Sequence, residues 1–399
     1  MSAGTVEKHI GVLDGIRALS IVFVVWYHFW QQTWLTPYIN FNSSMTRYIG
    51  ITSIELANYV RYGFTFVDML ILLSAFCNFY PYARAIILGE QWPDTKQFYF
   101  KRAIRIVPSY LLCILIMFFA FALPEKQYES TAFMWKDLLV HLTFTGGLCP
   151  DTIMYTKLNG VLWTVQIEVL YYILLPWLAK LFRKIPGVTY LVMLLTGIIS
   201  VNFIIYHCSG AELLYVNHML TFMGVYANGI LLSILFVIWK KSGAENRYTQ
   251  IAATIVSFFC IVWFRIILQE YGQAENLSVI QLKLRLPQAF LFSGFLFSTA
   301  CALKGWQKIF SNRLMRYICA ISYNLYIWHQ ILAVKLKQYR IPYWEGEDAP
   351  NITGDKIWQW KYQGIVIVVS VLVAVIVTYG FEIPIRKFWE RRIGIKNGK

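Results

Sequence analysis

Leu111 to Leu123, Leu191 to Ile205 and Gly364 to Phe381 contain no charged residue, and runs of this kind decide what the chain can fold into. About 20 apolar residues in a helix cross a hydrocarbon core of roughly 30 Å, and only a structure that satisfies its own backbone is stable there. Composition agrees: 58% of the 399 residues are hydrophobic and 14% charged, against roughly 25% charged in soluble domains. The sequence therefore predicts an all-α integral membrane protein, a bundle of about ten transmembrane helices.

Charge, proline and glycine bound the predicted spans near 16–34, 62–82, 105–123, 160–182, 188–206, 216–239, 250–268, 284–303, 314–335 and 364–383. A net charge of +15 raises the question of nucleic acid. The basic residues lie in short loops between apolar segments, however, and not on one water-facing domain, so no nucleic-acid partner is expected. With both termini cytoplasmic, about 23 basic residues fall inside, among them Lys8, Arg84, Lys96, Lys240, Lys304 and the six of the C-terminal tail, against about 12 outside. That asymmetry selects the orientation. The first apolar run lacks a cleavage pattern and reads as a retained helix.

No internal repeat is visible, and 1–399 reads as a single transmembrane domain without an appended soluble domain. The seven cysteines show no C-x-x-C spacing; Cys149 and Cys208 fall in predicted outer loops, where pairing is left open. Two outer loops are long, Pro124 to Asn159 and Lys335 to Gln363. The second carries Trp344, Trp358 and Trp360, an aromatic belt or a stacking surface for sugar rings.

Ionisable residues inside the apolar segments are the functional candidates, since each costs about 2.5–3.5 kcal/mol on insertion scales. Arg17 and His28 are eleven residues apart. At about 100° per residue they fall within roughly 20° of three full turns, with an axial separation near 16 Å. Arginine grips anions and histidine accepts a proton near neutral pH, so a charged donor held at the mouth would meet a base at mid-bilayer, given a water-lined passage between them. Arg102 and Arg105, next to Lys101, project together from a helix start and suit the phosphates of a nucleotide-bearing thioester, or else form an ordinary positive-inside cluster. Glu168, in Trp163-Thr-Val-Gln-Ile-Glu168, needs a partner, His28 or an arginine. Asp68 invites the same argument. Tyr326 and His329 lie on adjacent turns of a polar ladder beginning at Ser322, either lining an acceptor cavity or bonding helices together.

These residues resemble acyltransferase family three, the multi-span group that includes bacterial O-antigen and peptidoglycan O-acetylases and animal relatives of the nose-resistant-to-fluoxetine type. The resemblance runs from Leu13-Asp-Gly-Ile-Arg17 to Phe381-Glu382-Ile-Pro384. It rests on the Arg, ten residues, His pattern at Arg17 and His28, with further elements at Lys101 to Pro108, Trp163 to Tyr172 and Ser322 to His329. It implies ten helices, His28 as the catalytic histidine, Arg17, Arg102 and Arg105 in donor binding or positioning, and Glu168 in support. One stretch departs: Phe-Phe-x-Leu-Ser-Gly-Phe in the family is Met69-Leu-Ile-Leu-Leu73-Ser74-Ala75-Phe76 here.

The expected function is transfer of an acyl group, acetyl being the commonest, from cytoplasmic acyl-CoA to a hydroxyl of an extracytoplasmic cell-envelope glycan or similar acceptor, without a metal. His28 acts as general base or forms an acyl-histidine. Arg102, Arg105 and Lys101 hold the coenzyme; Tyr326, His329, Trp163 and Asp68 line the acceptor side; a separate extracytoplasmic transferase is a conceivable partner. The rival reading is a proton-coupled or solute transporter using the same His, Glu and Arg groups. It predicts internal repeats and broken helices in matching halves, and neither is visible.

Overall fold

A computed structural model describes residues 7, 9–36, 38–40 and 53–392. Ten helices of twenty or more residues are found among them: α1 (Gly11–Thr33), α2 (Phe66–Leu88), α3 (Thr95–Ile116), α4 (Trp163–Lys184), α5 (Pro186–His207), α6 (Met223–Ser242), α7 (Arg247–Gln273), α8 (Leu277–Cys301), α9 (Arg313–Gln338) and α10 (Lys356–Val377). Each coincides with an expected apolar segment. Lys8 and the tail basics Lys396 and Lys399 lie outside the described residues. Between α1 and α2 a short ribbon departs from the all-α expectation, pairing Tyr38 with Glu55 and Asn40 with Ser53.

Among the described residues eight helices are long and apolar enough to cross a membrane, and nine if α8 and the helix pair after it, Lys304–Gln338, count as one span despite a 119° bend. Two of the ten expected segments, α8 and α9, are thus the least apolar of the set. The reason is chemical: Lys283, Arg285 and Gln288 dilute α8, while Arg313, Arg316, Asn324, His329 and Lys335 dilute α9. These polar groups are affordable in lipid only where protein covers them, and Arg285, Gln288, Asn324 and His329 are all buried. By contrast α5 and α7 turn Ile199, Phe203, Phe259 and Trp263 outward, as lipid-facing helices must. The chain is a multi-pass membrane protein.

Small residues set the closest contacts, because lipid offers helices little hydrophobic reason to associate. A Cβ on Gly229 of α6 would stand 2.4 Å from Leu72 O and 2.6 Å from the Ala75 Cβ of α2. A Cβ on Gly15 of α1 would stand 1.8 Å from Phe310 O. These contacts lock α2 to α6, and α1 to the short helix Lys304–Phe310.

Asp68 of α2, expected on the acceptor side, lies in a packed contact between helices. It is buried, 3.6 Å from Arg285 Nε of α8, and accepts from Gln288 Nε2 at 3.1 Å. Arg285 also donates to Val216 O at 2.6 Å and Thr221 Oγ1 at 2.5 Å, and lies 3.8 Å over the Phe222 ring. Removing one partner of such a pair strands the other charge. Asp68→Ala is therefore expected to destabilise the fold by about 3 kcal/mol in a detergent unfolding titration, while the KM for the donor of folded protein stays unchanged.

The long loops are built on buried or paired acids. Asp137 accepts from Tyr128 OH at 2.7 Å, Thr156 Oγ1 at 3.1 Å and Lys157 N at 3.0 Å. Burial works against its charge, but His141 and these donors hold the carboxyl below the usual range. Cys149 and Cys208, whose pairing the sequence left open, are free thiols. Trp344 packs edge-on to Trp358, which stacks on Tyr362; Trp358 is buried, so of the loop's three tryptophans Trp360 is the exposed one.

After α3, Glu125 accepts from Lys335 Nζ of α9 at 2.7 and 2.8 Å, and from Tyr339 OH at 2.9 Å. The Lys335 ammonium leads in holding this carboxyl down to about 2, outweighing partial desolvation, with Gln127, Tyr339 and Gln338 helping. A depressed folded value means the stabilisation is complete above the ordinary value of 4.5 and disappears as pH falls through about 2. The difference in thermal midpoint between wild type and Glu125→Gln is thus expected to hold from neutral pH down to about 4.5, then shrink with further acidification.

Candidate active site

Five helices enclose a cavity of about 370 Å³. Leu13, Asp14, Arg17 and Ile21 come from α1; Ser74, Cys77 and Asn78 from α2; Arg102 and Arg105 from α3; Thr164, Glu168 and Tyr172 from α4; Ser322, Tyr323 and Tyr326 from α9. The helix starts explain the arrangement. Asp94 caps α3, accepting from Gln97 N at 2.7 Å, and the two arginines follow two to three turns later on the covered side. Arg17 sits in the second turn of α1, at the same end of the bundle.

Glu168 anchors the interior. Its Oε1 accepts from Ser74 Oγ at 2.5 Å and from Tyr172 OH. Ser74 is itself positioned by Asn78 Nδ2, which donates to Ser74 O at 2.7 Å and Oγ at 3.1 Å. The carboxylate acts electrostatically on both Arg17 and Arg102, yet among the described residues none of the three arginines forms a salt bridge. Arg102 lies 5.7 Å over the rings of Phe98 and Tyr172, contacts that orient a guanidinium while leaving its charge unspent. The expected Glu168 partner was a histidine or an arginine; hydroxyls make the direct contacts instead.

At the mouth, His9 Nε2 lies 3.1 Å from Asp14 Oδ2, and Tyr80 OH donates to Glu7 O at 2.8 Å. A histidine in a short N-terminal segment carries no sequence pattern that would single out His9. Glu382 is a second addition: a π-helical turn at Thr378–Glu382 places Thr378 and Glu382 on Asn324 Nδ2, at 2.9 and 2.7 Å, and Glu382 acts electrostatically on Arg105.

His28 does not line this cavity. Its Nδ1 is 2.9 Å from Gln31 Oε1 and 3.2 Å from Gln330 Nε2. In the tautomer whose Nδ1–H donates to Gln31, Nε2 keeps the lone pair of a base. His329 packs against it, ring centroids 4.9 Å apart. His329 Nδ1 donates to Tyr326 O at 2.7 Å and Leu325 O at 3.2 Å, and carbonyls only accept, so its buried Nε2 also carries a lone pair. Tyr326 connects the cavity to this histidine pair. Tyr326 lines the cavity, accepts from Thr164 Oγ1 at 2.8 Å, and has its ring centroid 5.7 Å from that of His329.

Of the predicted site residues, Arg17, Arg102, Arg105, Glu168 and Tyr326 therefore meet at the cavity, with His28 and His329 just beyond it. Lys101 is exposed and outside it, Trp163 stacks on Phe222 with centroids 5.9 Å apart, and Asp68 belongs to the buried pair described above. Among the described residues no group of three or more His, Cys, Asp or Glu side chains is placed to hold a metal ion.

The helical bundle and this arginine-lined cavity agree with the family comparison: a family described as an acyltransferase domain matches residues 10–379, and the chain belongs to this acyltransferase-3 family. A curated relative is the peptidoglycan O-acetyltransferase OatA of Listeria monocytogenes serovar 1/2a (strain ATCC BAA-679 / EGD-e), 22% identical over 360 residues. That match covers 81% of this chain and 49% of the relative, so the chain spans about half that protein's length. No solved structure matches.

Glu168→Gln tests the geometry apart from the chemistry. The amide oxygen still accepts from Ser74 and Tyr172, so the thermal midpoint is expected to move little, by less than about 1 kcal/mol in stability, whereas Ser74→Ala combined with Tyr172→Phe, which strips both donors from a buried carboxylate, lowers it clearly.

Proposed function

We propose that the protein transfers an acetyl group from cytoplasmic acetyl-CoA to a hydroxyl of an extracytoplasmic cell-envelope glycan, of which peptidoglycan is the leading candidate. The observation that carries this reading is the cavity holding three arginines that, among the described residues, have no salt-bridge partner, with Tyr326 of its lining against His329 and His329 against His28, whose ring keeps an available nitrogen. Guanidinium groups in that state suit a multiply charged anion. The reading takes both termini as cytoplasmic, which puts the arginine mouth on the side where acyl-CoA is found. The family match and the relative's printed activity support acyl transfer; donor and acceptor follow from the chemistry of the two ends.

In this scheme Arg102 and Arg105 receive the coenzyme's phosphates, and the narrower interior admits the thioester arm. Arg17, with Glu168 balancing the local charge, guides the arm along α1 toward His28. His28 Nε2 removes the acceptor hydroxyl's proton as the oxygen attacks the thioester carbonyl. The C–S bond breaks, and the thiolate leaves with the coenzyme and takes up a proton. Gln31 Oε1 accepts from Nδ1–H and holds the ring in place, and His329 closes the site behind it.

Reconstitution with radiolabelled acetyl-CoA and soluble peptidoglycan fragments tests this. Wild type is expected to label the glycan, and His28→Ala to do so at least about a hundredfold more slowly, as loss of a general base predicts. Equal rates would remove His28 from the mechanism. Arg102→Ala and Arg105→Ala are each expected to raise the KM for acetyl-CoA about tenfold, the scale of a lost charge-assisted hydrogen bond, with a smaller effect on kcat. Solute movement without thioester cleavage would favour the transporter.

A further inference from the structure

A second cavity, of about 240 Å³, lies between α5, α6 and α8. The chain direction places it at the end of the bundle away from the arginine mouth, because it is lined by the later part of α5, the start of α6 and the first half of α8. Its walls are aliphatic, with Leu194, Ile198, Val201 and Leu286 among them, and two basic residues, Lys283 and Arg285, share the lining. Glycines set its shape. A Cβ on Gly197 would stand 2.9 Å from Gly224 N, and one on Gly224 would point between Leu286 Cδ1 at 3.1 Å and Leu194 Cδ1 at 3.6 Å.

The two cations differ in how they are satisfied. Arg285 is 1% exposed; Nη1 donates to Val216 and Thr221, Nε lies 3.6 Å from Asp68, and Nη2 has no hydrogen-bond partner. Lys283 is exposed, and among the described residues it forms no hydrogen bond or ion pair. An ammonium facing lipid without an anion is unfavourable. Lys283 is six residues from the start of α8 at Leu277, about 9 Å along the axis, from where a lysine reaches headgroup level by extending along the helix. The surrounding α5 surface is apolar, with Ile199 and Phe203 65% and 56% exposed.

We propose that this cavity is a binding site for an anionic phospholipid of the leaflet opposite the arginine mouth, with one acyl chain lying between α5 and α8 and the phosphate on Lys283. Asp68 neutralises most of the Arg285 charge, so Lys283 carries the headgroup preference, and Arg285 Nη2 supplies a donor at the cavity's polar wall. The site is separate from the acyl-transfer cavity and stands whether or not that reaction is as described above.

Native mass spectrometry of the purified full chain, with phosphatidylglycerol or phosphatidylcholine added to the detergent, tests this. Wild type is expected to retain phosphatidylglycerol about fivefold more strongly, the factor one basic residue contributes at an anionic surface. Lys283→Gln should abolish the preference without changing the thermal midpoint. Gly224→Leu, whose side chain enters the cavity, should weaken retention of both lipids; if it does not fold, Ile198→Trp fills the same space. Equal retention of the two lipids by wild type, a preference that survives Lys283→Gln, or unchanged retention in the folded cavity-filling variant would each overturn the site. Competition by millimolar inorganic phosphate would show a free-anion site, and overturn it as well.

Discussion

Keeping charge inside a lipid-embedded bundle is the constraint on which the rest of this structure depends. A carboxylate or guanidinium removed from water is tolerated when its lone pairs and protons are met and when opposite charge lies close. Glu168 meets the first condition through two hydroxyls, Ser74 and Tyr172, and supplies the second to Arg17 and Arg102. Because neutral groups make its direct contacts, it lends the cavity negative charge without capping any arginine. The helices α2 and α4 are joined at the same point, so the packing of the bundle and the electrostatics of the cavity rest on one carboxylate.

The contrast with Asp68 shows how a similar acid comes to a different end. There the acid and Arg285 face one another across α2 and α8, Gln288 and Thr221 take up further bonding capacity, and Phe222 covers the guanidinium. Nothing of Asp68 opens into the large cavity. Both acids looked alike in the sequence, where an intramembrane carboxylate is a functional candidate by default. What separates them is whether the arginine is consumed, and the partner of Asp68 lies so far along the chain that no local pattern reveals it.

Legibility followed the range of the interactions. Helix positions came through, since apolar runs record their own solvent, and so did the shared helix of Arg17 and His28, which depends on helical periodicity alone. Arg102, Arg105, Glu168 and Tyr326 were found because short motifs carry them. The hydroxyl partners of Glu168, the role of Glu382 opposite Asn324, and His9 at the mouth depend on contacts between remote helices and left no periodic trace. The altered stretch at Met69 to Phe76 is instructive. Alanine stands at position 75 where the family has glycine, and its Cβ packs against Gly229 of the facing helix, a contact that the local sequence does not reveal. Short polar loops were equally opaque: the ribbon that pairs Tyr38 with Glu55 joins ends across a long connection.

The separation of His28 from the arginine cavity bears on a demand placed on any membrane-embedded site, that of holding back ions. A continuous water-filled passage lined by arginine, glutamate and histidine would conduct them. His28 is not part of the cavity's lining, whereas Thr164 and Tyr326 are; their hydrogen bond at 2.8 Å ties α4 to α9 beside His329. The fold thus carries Arg17 and His28 on one helix, brings Arg102, Arg105 and Glu168 to the first of them from two others, and leaves the Tyr326 ring beside both the cavity and His329.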